Sequence, residues 1–193
     1  MSLSKRLSDR RGIAALEFAF LAPILVLLLL ATTDLVLWMR TWLRMEQTAS
    51  DVTQVITQYS TLYASDFSGT FYPMAQSTVG GASLSCSSGG MVVTGIDNSS
   101  GTPVVGWQWS SGACAASGFT KTSGSSTTLA MPGGYIPPSG LSAIVVELST
   151  TQPAYVFSSK IMATAGFSGI ATYAVAVPRL GALPPITAGN RPS

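Results

Sequence analysis

The run from Ile13 to Met39, IAALEFAFLAPILVLLLLATTDLVLWM, constrains this chain more than any other stretch. A helix rising about 1.5 Å per residue needs about 20 apolar residues to cross a hydrocarbon core, and this run is longer. From Phe18 to Ala31 it carries no charge, and only Pro23 interrupts it. Proline removes one backbone donor, which a membrane helix tolerates. Pro23 is either a bend that helps helices pack side by side or a tolerated residue. The flanks are Lys5, Arg6, Arg10 and Arg11 before the run, and Arg40 and Arg44 after it. More positive charge in front predicts a cytoplasmic N-terminus and a translocated remainder. Trp38 and Trp42 fall where indoles prefer the membrane–water boundary. Asp34 sits one turn inside that boundary, where it can snorkel to water or pair with Trp38 or Arg40. After Leu30 comes Ala31-Thr32-Thr33-Asp34, without an A-x-A site, so removal as a secretory signal is not expected.

The exception inside the run is Glu17. A charge held in hydrocarbon costs about 2.5–3.5 kcal/mol even on the lenient insertion scale, so it calls for a partner or a task. Were the chain cut after Gly12, Ile13 would carry a free ammonium four residues before Glu17. The two charges could then approach along one helix face, or pair crosswise between neighbouring helices. Either pairing lowers the cost of the carboxylate, and the crosswise one also sets the register of assembly. The bland alternative is a plain anchor whose interfacial Glu17 pairs with Arg10 or Arg11.

Composition removes most other functions. Lys and Arg total 10 and Asp and Glu total 8, with no histidine at all. Lys5, Arg6, Arg10 and Arg11 against Asp9 give the first twelve residues a net +3, leaving −1 for the rest. Nucleic acid is therefore not an expected partner, since phosphate binding needs Lys and Arg clustered on the folded part. Without histidine there is no Ser-His-Asp triad and little basis for a transition-metal site. No nucleophile–base constellation stands out, so no enzyme, cofactor or metal is expected. Cys86 and Cys114 cannot build a four-ligand zinc site unaided. Beyond a membrane anchor they read as one structural disulfide, with two reduced buried thiols as the alternative.

The segment "GIAALEF", behind a short basic leader and ahead of an apolar run, resembles a type IV prepilin-type processing site, Gly-x-x-x-x-Glu followed by an aromatic residue. More narrowly, "GIAALEFAFLAPILVLLLL…D" resembles the N-terminus of TadE-like proteins, minor pilins or pseudopilins of Flp/Tad adherence pili. That resemblance covers residues 1 to 60 and implies a prepilin peptidase cutting after Gly12. Ile13 would be the new N-terminus, Glu17 the carboxylate used in processing or assembly, and Phe18 its aromatic neighbour. It also implies that other pilin subunits and the pilus assembly machinery are partners. The protein would then sit in the inner membrane with a periplasmic C-terminus, or enter an extracellular pilus. A weaker likeness lies in "YAVAVPRLG", through Pro178 and Arg179. The competing function is an uncleaved single-pass protein whose exported domain binds a ligand or adheres to a surface.

Beyond the membrane, Trp38, Trp42, Met45, Ala49, Val52, Ile56, Tyr59 and Tyr63 recur at alternating steps of four and three. This predicts one helix from Ile13 to Tyr63 with an apolar stripe, packed on the chain's own sheet or on other subunits. Residues 64–140 are rich in Ser, Thr, Gly and Asn, which predicts hairpins and loops or partial disorder. Their β-prone pieces are 91–96, 104–109 and 128–131. Trp107 and Trp109 share a strand face, as core or as an adhesive patch. Asn98-Ser99-Ser100 reads as a turn. "SAIVVEL" at 142–148 alternates, with Ile144, Val146 and Leu148 on one face. With 154–157 and 172–177 it predicts three antiparallel strands, and Pro178 ends the last.

The expected fold class is α+β, a long helix (transmembrane, then amphipathic) on a small antiparallel sheet with a Gly/Ser/Thr-rich β/loop insertion. Its divisions are a basic leader (1–12), a transmembrane helix (13–39), a helical extension (40–63), the insertion with its disulfide (64–140), the sheet (141–178) and an extended tail (179–193).

Overall fold

A computed structural model describes residues 3–80, 84, 89–111, 135–150, 164 and 169–189, with side chains from Gly12 onwards. Helix α1 is Leu3–Thr57, 55 residues, or roughly 80 Å of continuous rod. It starts inside the leader and passes through Gly12 and Pro23 without interruption. The hydroxyls of Thr32 and Thr33 both donate to the Leu29 carbonyl at 2.9 Å. The helix therefore satisfies these two hydroxyls within its apolar half.

α1 stops at Thr57, short of the expected Tyr63. No glycine or proline ends it. The last turn tightens, with Gln58 N–H donating to Val55 O at 3.1 Å and Tyr59 N–H to Ile56 O at 3.2 Å. The Thr57 carbonyl, an orphan at any helix end, accepts the Arg179 N–H at 3.2 Å. Tertiary pairing thus overrides the helical pattern, and Tyr63 lies in a two-residue strand, β1 (Leu62–Tyr63).

The stripe on the upper half of α1 buries Met45, Ala49, Val52 and Ile56 completely. It packs on the chain's own sheet and on a short helix. That sheet has four antiparallel strands in the order β3-β2-β4-β5, where β2 is Gly89–Asp97, β3 Val104–Ser110, β4 Ser142–Thr150 and β5 Ile170–Ala176. The pieces at 91–96 and 104–109 are therefore two of its strands. The expected strand at 154–157 and the piece at 128–131 lie outside the described residues.

Strand alternation divides the sheet as expected. Met91, Val93, Ile144, Val146 and Leu148 join the core under α1, while Ile96, Val145 and Val175 form a small second cluster on the other face. Register slips once, where Gly95 faces Trp107 but Ile96 faces Val105. Gly106 is thus the extra residue of a β-bulge.

Residues 64–79 depart from the hairpin expectation, for they are helical. α2 (Ala64–Asp66) runs into a π-helical turn (Phe67–Phe71) and then α3 (Tyr72–Val79). Gly80 closes α3 in the left-handed region at φ 49°, where glycine carries no Cβ penalty. Phe67, Phe71, Ala75 and Val79 are all fully buried at steps of four, and this stripe holds the segment to the core.

Phe67 stacks on Trp109 at 5.4 Å and meets Trp107 edge-on at 5.7 Å. Both tryptophans pack against the core, and the Trp107 indole N–H donates to Pro184 O at 2.9 Å. This assigns the pair to packing rather than to an adhesive patch.

The tail does not trail away. After Pro178 the chain returns along the head, where Leu183 fills a slot left by Gly95 and Gly106; a Cβ on either glycine would collide with it. Leu62 N–H donates to Pro185 O at 3.0 Å, and β6 (Ile186–Thr187) pairs in parallel with β1.

Candidate processing and assembly segment

The lower half of α1 is an apolar rod with no cover from its own chain. Ile13, Leu16, Phe18, Phe20 and Leu21 are exposed, Phe18 by 68 %. The same holds from Ile24 to Leu29. Such a surface is hydrophobic all round, which fits lipid or other helices and not water. α1 from Gly12 to Thr57 contains a window with mean hydropathy 2.6, so it is long and apolar enough to cross a membrane.

Glu17 stands in this rod. It is exposed, and among the described residues its carboxylate has no hydrogen-bond or ion-pair partner. The Ile13 nitrogen lies four residues back, about 6 Å along the axis, and Phe18 sits beside the carboxylate on the helix surface. Gly12 is also exposed, and nothing lies within 4 Å of the place a Cβ would occupy. Glycine in a helix interior costs about 1 kcal/mol relative to alanine, so Gly12 weakens the helix locally. The four sequence-derived residues Gly12, Ile13, Glu17 and Phe18 therefore share one accessible helical segment. The side chains of Arg10 and Arg11 lie outside the described ones, as do Cys86 and Cys114 with their expected disulfide.

The second acid of the apolar stretch behaves differently. Asp34 neither snorkels nor faces lipid; it is fully buried by its own chain and engaged in an interaction there. Among the described residues it is the first fully covered one of α1, and it marks where the head begins to grip the stem. Further up, the half-buried Arg44 donates from Nη1 to the Gly80 carbonyl at 3.2 Å and ties the end of α3 to α1.

A polar cluster at the far end of the sheet is structural. Asp97 accepts from Ser99 N–H at 3.0 Å, from Ser99 Oγ at 3.0 Å and from Ser142 Oγ at 3.1 Å. The Ser99 backbone N–H does most to hold its carboxyl below the usual value, against desolvation that raises it, with the Ser99 and Ser142 hydroxyls assisting. Asn98 is buried and donates from Nδ2 to Pro137 O at 2.7 Å, so its amide ties the turn after β2 to the segment leading into β4. Among the described residues no group of three or more Cys, Asp or Glu is placed to hold a metal.

Fold and segment together define a class, an α+β head carried on a stem helix of membrane-spanning length. Within it, residues 12–54 match the family model for TadE-like proteins. The match opens on Gly12, takes in Glu17 and closes near the top of the stem. It covers 43 of the 193 residues, all of them in the stem helix. No curated protein and no solved structure matches the chain.

Proposed function

We propose that this chain is a pilin-like subunit, a minor pilin or pseudopilin, for a Tad/Flp-type adherence pilus. A prepilin peptidase cuts it after Gly12, and the freed Ile13 ammonium compensates Glu17 on the same helix or on a neighbour's. The leader lies in the cytoplasm and the head in the periplasm until assembly. The observation that carries this reading is the exposed Glu17, without a partner among the described residues, five residues after an accessible Gly12 on a rod that needs lipid or other helices around it. The opening of the TadE-like match at Gly12 supports it further.

N-terminal sequencing of the protein from pilus-producing cells tests the cut. The expected first residue is Ile13; a mature chain that still begins at Met1 rules the processed subunit out.

A second reading has its own observation. A shallow apolar cleft of about 370 Å³ lies beside β5, lined by Tyr135, Tyr173, Val175, Ala176 and Val177. It suits an uncleaved anchor whose exported head binds a ligand. Retention of Met1, with ligand binding lost in Tyr173→Ala, would favour it.

A further inference from the structure

The two faces of α1 change character at different heights. The covered face starts at Asp34 and continues through Met45, Thr48, Ala49, Val52 and Ile56. On the opposite face, Val36 is 63 % exposed, Met39 49 % and Leu43 48 %. Polar residues take over that face only at Gln47, Ser50 and Gln54. The apolar outer face thus reaches nine residues, about 14 Å, above the level where the head begins. Exposed Arg40 lies in this stripe, one turn from Val36 and one from Leu43.

Length decides what covers it. From Ile13 to Leu43 the exposed apolar surface extends about 46 Å, against about 30 Å of hydrocarbon and about 40–45 Å for the bilayer with its interfaces. A tilt of about 25° brings the two into agreement, within the ordinary range for spanning helices. The head occupies one side of the stem, so only a lean towards the opposite side keeps it clear of lipid.

We infer that, in the membrane-resident protein, the stem leans with the Val36–Met39–Leu43 face down. This stripe lies in the phospholipid headgroup layer, with Arg40 on lipid phosphates. The surface is continuous with the membrane-crossing one, and its single charge has the sign that anionic headgroups attract. This rests on the reading of α1 as a membrane-crossing helix.

The test uses the full chain in vesicles of phosphatidylethanolamine and phosphatidylglycerol. A genetically encoded spin-label residue is placed singly at Leu25, Val36, Met39, Leu43 and Gln47, and its accessibility to oxygen and to a water-soluble nickel chelate is measured. The expected profile has Leu25 in hydrocarbon, Val36, Met39 and Leu43 at headgroup depth, and Gln47 in water. Arg40→Gln should shift the balance at Leu43 towards water by about fivefold, the effect of one basic residue at an anionic surface. If Leu25 is in lipid but the stripe is as wet as Gln47, the stem stands upright and the inference is wrong. If Leu25 is in lipid but the stripe is shielded from both reagents, a second protein chain covers it and the inference is again wrong. A Leu25 label outside lipid overturns the membrane-crossing reading itself, and the lean with it.

Discussion

Glu17 and Asp34 are carboxylates on one helix, seventeen residues apart, in opposite circumstances. Asp34 is fully buried by its own chain and has an interaction within it. Glu17 is exposed on a bare apolar rod with no such partner among the described residues. The head solves the first charge internally, whereas the second is left for whatever surrounds the stem. Two acids of similar chemistry thus separate a residue enclosed by the head from one to which the proposed function gives a part in assembly.

Mutations should break this comparison in a definite order. Glu17→Ala is expected to act most on assembly, with a fall of at least about tenfold in processing or pilus incorporation, scored by immunoblot of sheared pili. The denaturation midpoint of the detergent-solubilised head should stay put. Normal assembly of the alanine variant would remove the role assigned to Glu17. Phe67→Ala should act the other way, costing the head about 3–5 kcal/mol through the cavity left between Phe71 and the two tryptophans, read by urea unfolding. Asp34→Ala should cost the head about 1–3 kcal/mol by removing the interaction this buried carboxylate makes. A variant as stable as the parent would show that this buried carboxylate contributes nothing to holding the head on the stem. Gly106→Ala should cost about 1–3 kcal/mol by driving a methyl into Leu183, with Trp107 fluorescence reporting the displaced tail.

The smallest effect concerns pH. Asp97 has a folded pKa below its ordinary 3.8, so its contribution is complete above that value and fades as pH falls through the folded one. The difference in melting temperature between wild type and Asp97→Asn should therefore be constant near neutrality and close in strong acid. A gap that persists at low pH would mean the carboxylate charge is not what secures the turn.

How much of this could be read from residues alone varies along the chain. The stem was legible because lipid-length apolarity and the alternating three-and-four stripe are strong one-dimensional signals. Met45, Ala49, Val52 and Ile56 are buried as that spacing implies. Ile144, Val146 and Leu148 likewise follow from strand alternation. The helical segment 64–79 was missed because Ser, Thr and Gly between Phe67, Phe71, Ala75 and Val79 read as turn material. Steps of four in buried apolar residues were the available signal. The end of α1 at Thr57 was not legible, since its cap comes from Arg179, more than a hundred residues away in sequence. The docked tail depends on two glycines from different strands opening one slot, a coincidence no local pattern displays. For the candidate segment, sequence pointed to Gly12, Ile13, Glu17 and Phe18. The structure adds their common accessibility and the contrast with Asp34.

The returning tail changes how the molecule would carry load. α1 rests on β4 and β5, whereas the tail reaches from the end of α1 to Gly95 of β2 and Gly106 of β3. A tug on the anchor is thereby shared across all four strands instead of being taken by the two beneath the stem. Residues 179–187 make the head a single mechanical unit with its stalk.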